Sequence, residues 1–193
     1  MDVIALTVGL RCHLGVPPGL PQPLLTSLRV AVSVGSPEIV IDHPVVADGV
    51  ACWQLASDSR VLDVNSRYAY LLWFRDFAAT SVVARRDDDV IGFVSGYRRS
   101  DEPSTLMVWQ VAVAEAARGR GLAGAMLDAL VDRVPVVDHV ETTITPGNRA
   151  SVALFTGFAD RRRAPVRRDE LFGADLLGGD HEPEILFRIG PIR

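Results

Sequence analysis

The sequence predicts a mixed α/β (α+β) fold, a mostly antiparallel twisted sheet flanked by about four helices. Three observations predict it. β-rich runs at 80–85, 90–98 and 105–113 follow one another across turn-forming residues, the pattern of an antiparallel meander. A glycine-rich turn then opens an amphipathic helix over 121–133. After that helix come only a strand, a helix and a strand, too few βα units for a doubly wound parallel sheet.

The elements follow in order. Pro17, Pro18, Pro21 and Pro23 interrupt any regular pattern in residues 1–36, which read as a flexible extension, or a mistaken start, ahead of a single domain at 37–193. A secretory leader would carry early positive charge, whereas the first charge here is Asp2 and Arg11 comes after the first apolar run. Ile39, Val40 and Ile41 form a strand, and Val46, Val50 and Trp53 recur at helical spacing in a helix that ends near Ser57. The run 68–74 lacks turn residues and predicts a second, short helix. Asp87, Asp88 and Asp89 are the turn between the first two strands of the meander. In the helix over 121–133, Leu122, Met126, Ala129 and Leu130 share one side. A strand over 136–144 follows, then Thr145-Pro146-Gly147-Asn148, a turn whose Asn148 is a good N-cap for a helix through Phe158. The last strand is 185–189, preceded by His181, Glu182 and Glu184. Arg161, Arg162, Arg163, Arg167 and Arg168 read as a solvated or salt-bridged face with no specific function.

Composition excludes several function classes. With 193 residues, 48% of them hydrophobic, the chain can bury a core of its own. A net charge of −4 argues against a nucleic-acid footprint, and no run is long enough for a membrane span. Cys12 and Cys52 are far apart, with no second thiol or histidine at ligand spacing, so no metal site and no disulfide framework is expected and a reducing cytoplasm is the expected setting. All 20 basic residues are arginine. Without lysine there is no aldimine with pyridoxal phosphate, no Schiff-base aldolase and no lysine-bearing phosphate loop. Phosphate groups must be held by arginine and backbone N–H groups.

The turn Arg118-Gly119-Arg120-Gly121-Leu122-Ala123 stands between a strand and a helix, which is phosphate-binding architecture. Glycine lets the backbone approach the ligand, and the helix start offers free N–H groups with about half a positive charge. Read literally, Gly119-x-Gly121-x-x-Gly124 is also a dinucleotide fingerprint, with Asp138 or Glu141 at about the right distance for a ribose. The preceding meander, the long link from Val113 to Gly119 and the shortage of later βα units weigh against it.

Arg118-x-x-Gly121-x-Ala123 resembles the acetyl-CoA pyrophosphate loop of the GNAT N-acetyltransferases, and the element order over 38–190 is similar to theirs. Within that superfamily, the segments 61–66, 108–113 and 145–151, together with Phe187-Arg188-Ile189-Gly190-Pro191, resemble the L-2,4-diaminobutyrate acetyltransferases of ectoine biosynthesis. The resemblance implies an acetyl-CoA-dependent, metal-free enzyme that acetylates the γ-amine of a small diamino acid, working as a cytoplasmic homodimer.

The same resemblance implies the site. It puts the general base at Glu184, an amino-group ligand at Asp63 and an assisting His181, with Tyr68 and Trp109 in the pocket. Cofactor contacts would come from Val111, Val113, Arg118, Gly119, Arg120, Gly121, Leu122, Ala123, Asn148 and Phe155. An aliphatic amine with a pKa of about 10 is protonated at neutral pH, so a base is required whatever the family. By local pattern alone Glu182 and Glu184 are equal candidates, Trp109 and Tyr68 fit a core as well as a pocket, and Asp63 fits a helix cap. Many GNAT enzymes carry a tyrosine where this chain has Phe155, which cannot protonate a leaving thiolate. The alternatives are a GNAT enzyme for another small amine such as ornithine or a polyamine, a dinucleotide-dependent oxidoreductase, and a silent CoA-binding module.

Overall fold

The computed structural model describes residues 30–32, 38–59, 62, 64–178 and 181–192. Strands β1 (Val30–Val32), β2 (Ile39–Asp42), β3 (Val82–Arg86), β4 (Asp89–Arg98), β5 (Thr105–Val113), β6 (His139–Ile144), β7 (Val166–Phe172) and β8 (Glu184–Ile189) form one sheet. Its order is β1-β2-β3-β4-β5-β6-β8-β7. Every neighbouring pair is antiparallel except β5 with β6. That single parallel pair is incompatible with a doubly wound dinucleotide fold.

Four helices cover the two faces, α1 (Asp48–Ser59), α2 (Arg67–Asp76), α3 (Leu122–Arg133) and α4 (Arg149–Arg162). Side chains alternate across a strand, so neighbours part company: Val82 and Val94 join the larger core under α3 and α4, while Val83 and Phe93 join the smaller one under α1 and α2. The larger core packs Leu122, Met126, Leu127 and Leu130 of α3 and Phe155 and Phe158 of α4 against Leu106, Val108, Val140, Phe187 and Ile189. The smaller holds Cys52, Ala56, Tyr70 and Phe74.

The helix starts are set by polar side chains. The Asp48 carboxylate accepts the Val45 N–H at 2.7 Å, Ser66 accepts Ala69 N–H at 3.3 Å and Asn148 accepts Ser151 N–H at 3.1 Å. Helix α3 differs, because its N-cap is Gly121, which makes no side-chain cap.

The meander, α3 and the final strand lie close to where the sequence puts them, whereas α4, expected to end at Phe158, continues to Arg162. Three further differences stand beside these. The strand expected at 136–144 begins at His139, because Val136 is 84% exposed in a turn with φ 61°. Helix α1 runs two residues past Ser57, to Ser59. Strand β7 falls where the sequence predicts only an arginine-rich face. It is an edge strand, exposed along nearly its whole length, so it has no apolar alternation to reveal it. Of the extension at 1–36, the described residues are Val30–Val32, which pair with β2, and the rest lies outside the described residues.

Candidate active site

The site begins where two strands part. Strands β5 and β6 pair at three positions, Thr105↔His139, Leu106↔Val140 and Met107↔Glu141. Past Met107, β5 stays registered with β4 to Val113, while β6 runs beside β8 to Ile144. Residues 108–113 therefore present, among the described residues, a strand edge without a strand partner inside the sheet. Backbone N–H and C=O groups require partners, so this edge is a template for an extended polar ligand.

Charge clamps the vertex. Glu141, whose side chain is 3% exposed, accepts from Arg99 at 2.9 Å and from Arg188. Arg188 also holds Glu102, and Arg99 reaches Asp101 at 2.6 Å. These hydrogen bonds hold the Glu102 and Asp101 carboxyls below their ordinary range.

A bulge re-aims the side chains on β5. Ser95 pairs with Gln110 and Gly96 with Val108, so Trp109 is an extra residue. Before it, Leu106 and Val108 point into the α3–α4 core, and after it Val111 and Val113 do. The bulge thus sends both Trp109 and Gln110 to the α1–α2 face. There the Trp109 ring lies 4.2 Å from that of Trp73, centroid to centroid, and the Tyr70 hydroxyl donates to Gln110 at 2.8 Å. Burial pushes the Tyr70 hydroxyl above its ordinary pKa, against the opposing pull of that hydrogen bond, so it stays protonated. Glycine is required across the bulge, since a Cβ on Gly96 would lie 2.7 Å from the Met107 carbonyl oxygen. Trp109 is 40% exposed and meets, through Trp73, an aromatic group that includes Phe77 and Tyr97, so it is enclosed in neither core.

Beyond β5 the chain makes the glycine turn. Gly119 and Gly121 have φ of 74° and 75°, the left-handed region in which glycine carries no Cβ penalty. Helix α3 then starts at Leu122, and the first intrahelical N–H bond after the turn is Ala125 to Gly121, at 3.0 Å. The N–H groups of Leu122, Ala123 and Gly124 point out of the helix start. The adjoining cleft, about 560 Å³, is walled by Val113, Arg118, Gly121, Ala123, Leu154 and Arg161 among others. Arg118 donates to the Val113 carbonyl at 3.0 Å, which bends its guanidinium back along β5. Arg120 is exposed and makes no ion pair among the described residues.

Not every expected cofactor contact lies on that wall. Val113, Arg118, Gly119, Gly121, Leu122 and Ala123 do, with Leu122 buried in the core and able to contribute only its backbone, and Arg120 does not. Phe155 is 2% exposed inside the larger core, Val111 packs against that core and Asn148 caps α4. Arg161 lines the cleft although sequence reading gave it no role. The signal that could have found it is Gly124, whose missing side chain leaves room for the Arg161 guanidinium at 3.1 Å from the Cβ position.

The acidic segment is split by geometry. Ile185, Phe187 and Ile189 face the α3–α4 core, so Glu184, Leu186 and Arg188 project to the α1–α2 side, the side of Trp109 and Gln110. Glu184 begins β8 at the wide end of the splay, beyond the last β6 pair, Ile144↔Ile185. Glu182 is occupied elsewhere, its carboxylate accepting the Gly147 N–H at 3.0 Å in the turn before α4. His181 Nδ1 lies 2.6 Å from the Glu182 carbonyl oxygen, and Tyr68, 69% exposed, stands in the first turn of α2. Asp63 lies outside the described residues. Among the described residues no group of three or more His, Cys, Asp or Glu side chains is placed to hold a metal ion.

Comparison with known proteins bears on this arrangement. The family model for the acetyltransferase (GNAT) family matches residues 49–158. An L-2,4-diaminobutyric acid acetyltransferase of Streptomyces coelicolor is 54% identical over 160 residues, covering 80% of this chain and 94% of that one. One from Streptomyces anulatus is 56% identical over 156 residues, covering 78% and 89%. The solved diaminobutyrate acetyltransferase EctA of Paenibacillus lautus, in complex with its substrate L-2,4-diaminobutyric acid and coenzyme A, superposes with a TM-score of 0.77 at 39% identity. That match covers 79% of this chain and 95% of EctA.

Proposed function

From the premise that this chain belongs to the acetyltransferase (GNAT) family, with the L-2,4-diaminobutyric acid acetyltransferases as its relatives, we propose that it moves the acetyl group of acetyl-CoA onto the γ-amine of L-2,4-diaminobutyrate, forming N4-acetyl-L-2,4-diaminobutyrate. The observation that carries the reading is the unpartnered edge of β5, which joins a side-chain-re-aiming bulge at Trp109 to a phosphate-type helix start at Gly121. Acetyl-CoA has the matching parts in the matching order: a thioester, an amide-bearing arm that can pair with a strand edge, and a pyrophosphate.

The arm extends along residues 108–113, and the pyrophosphate meets the N–H groups of Gly119 to Gly124 with Arg118 and Arg120 beside them. This sets the thioester near the bulge. The diamino acid approaches from the α1–α2 side, between Trp109, Tyr68 and Glu184, with Asp63 and Glu184 answering its two ammonium groups. Glu184 removes the proton from the γ-ammonium, and His181 assists. The freed nitrogen attacks the acetyl carbonyl and a C–N bond forms. N–H groups of 111–113 stabilise the oxyanion, the nitrogen gives up its second proton to solvent, and collapse breaks the C–S bond. Phe155 has no proton to give and is buried in the core, so the thiolate, with a thiol pKa of about 8.5, departs unaided and is protonated from solvent.

Transfer is direct, without a covalent acetyl-enzyme. Cys52 is fully buried, and burial together with the nearby Asp48 carboxylate pushes its thiol well above the ordinary value. Cys52→Ala therefore retains wild-type turnover, and the native Cys52 thiol resists a disulfide-exchange reagent until the protein is unfolded. A marked drop in turnover with the fold intact would revive a cysteine nucleophile.

The catalytic domain is 37–193 and the enzyme acts as a cytoplasmic homodimer. Leu171, Phe172, Leu176 and Leu177, exposed around the end of β7, offer an apolar face to a second copy. No helix among the described residues is long and apolar enough to cross a membrane. The decisive assay supplies acetyl-CoA with L-2,4-diaminobutyrate, ornithine or lysine, follows thiol release and locates the acetyl group by NMR. The expected result is preference for diaminobutyrate with γ-acetylation. Equal use of ornithine would make this a general small-amine enzyme, and α-acetylation would overturn the assigned geometry.

A further inference from the structure

The cofactor cleft has a polar continuation. A recess of about 530 Å³ is lined by Asp128, Arg161, Arg162 and Arg163 and shares Asp128 and Arg161 with the cleft wall. Asp128 stands one helical turn, about 6 Å, beyond Gly124 on α3, past the exposed N–H groups of that helix start. Gly124 on α3 and Gly157 on α4 both lack side chains beside the Arg161 guanidinium, whose Nη2 and Nη1 lie 3.1 and 3.6 Å from the respective Cβ positions. The guanidinium therefore lies in a slot between the two helices.

The recess carries an excess of positive charge. Asp128 accepts from Arg161 at 2.9 Å and from Arg162 at 3.0 Å, and Arg162 also reaches Asp132 at 2.7 Å. In the lining one carboxylate thus faces three guanidiniums, and Asp132 answers Arg162 from outside it. Arg163 makes no ion pair among the described residues and sits exposed at the C-cap of α4 with φ 51°, which turns it out of the helix line. Arg161 spends Nε and Nη2 on Asp128, and its Nη1 edge remains for a ligand. Holding α3 to α4 would need one arginine on Asp128. It explains neither the second nor Arg163.

We propose that this recess binds a phosphomonoester, the 3′-phosphate at the nucleoside end of acetyl-CoA, through Arg161 and Arg163. The inference rests on the acetyl-CoA reading above. One ribose ring separates that phosphate from the pyrophosphate, a span comparable with the step from the helix start to Asp128. In a chain without lysine, a bidentate arginine is the available cation for the group.

The test titrates the full chain with CoA and with 3′-dephospho-CoA by calorimetry, with inorganic phosphate as a separate arm. Wild type is expected to bind CoA about tenfold more tightly, the worth of one charge-assisted contact. Arg161→Ala with Arg163→Ala should bring the ratio below about twofold by weakening CoA alone. Arg163→Ala by itself breaks no ion pair and should remove part of the preference in an unchanged fold. Equal affinities in wild type, a preference that survives in the double variant, or inorganic phosphate binding that leaves CoA affinity unaffected would each overturn the proposal. Binding of CoA with the tenfold preference but without acetyl transfer would instead sink the catalytic reading and leave this one standing.

Discussion

Glu184→Gln lowers kcat by roughly a hundredfold or more at neutral pH, the usual contribution of a positioned general base, and leaves the KM for acetyl-CoA near its wild-type value. Glutamine keeps the size and the acceptor oxygen of the side chain and removes its ability to take a proton. The γ-amine, with a pKa of about 10, is then deprotonated only by solvent. The variant should therefore regain rate as pH rises toward about 10, roughly tenfold per pH unit, while wild type gains far less. That profile separates a lost base from a lost binding contact, which would depress the rate evenly across pH. Glu182→Gln is the companion measurement. Its new amide oxygen can still accept the Gly147 N–H that Glu182 accepts at 3.0 Å, so turnover should stay within about threefold of wild type. Reversed effects in the two variants would move the base to Glu182.

Glu141→Ala destabilises the fold by about 3 kcal/mol and lowers Tm by about 6–12 °C. The carboxylate is 3% exposed and answers two arginines, so its removal leaves the Arg99 and Arg188 guanidiniums without the buried partner they share. Arg99 and Arg188 keep 33% and 26% side-chain exposure, and this limits the loss to the lower end of the range for a broken buried pair. Thermal unfolding followed by circular dichroism reads the shift. Because Glu141 stands at the last β5–β6 pair, the variant should also raise the KM for acetyl-CoA by a few-fold as the vertex loosens. An unchanged Tm would show that Arg99 and Arg188 are satisfied by Asp101 and Glu102 alone.

Much of this is legible in the sequence. The Asp-rich turn and the three β-rich runs gave the meander because hairpin chemistry is local, and Asn148 announced α4 because a cap satisfies N–H groups within one turn. The phosphate-type turn was legible for the same reason. The bulge at Trp109 was not, since it depends on the register between two strands, and Val-Trp-Gln-Val reads as an unbroken run. Without the bulge, the face of the sheet on which Trp109 lies stays open. Arg161 was missed because its partners, Asp128 and Gly124, lie over thirty residues away on another helix. Glu182 and Glu184 could not be told apart in one dimension; the alternation of Ile185, Phe187 and Ile189 into the core, together with the Gly147 contact, distinguishes them.

The gap between β5 and β6 also bears on how the folded chain keeps to itself. Strand edges are where proteins stick to one another, and this one has two of different kinds near its C-terminal half. The outer edge, β7, is exposed but carries Arg167, Arg168, Asp169 and Glu170 in succession, charges that discourage a foreign strand from adding to it. The inner edge is unguarded by charge on β5, where Val108, Val111 and Val113 follow one another, yet it opens only into a crevice between two arms of the same sheet. A stranger's strand would need to thread that crevice end-on. The protein can thus keep raw hydrogen-bonding backbone exposed to a slender small molecule while denying it to other polypeptides.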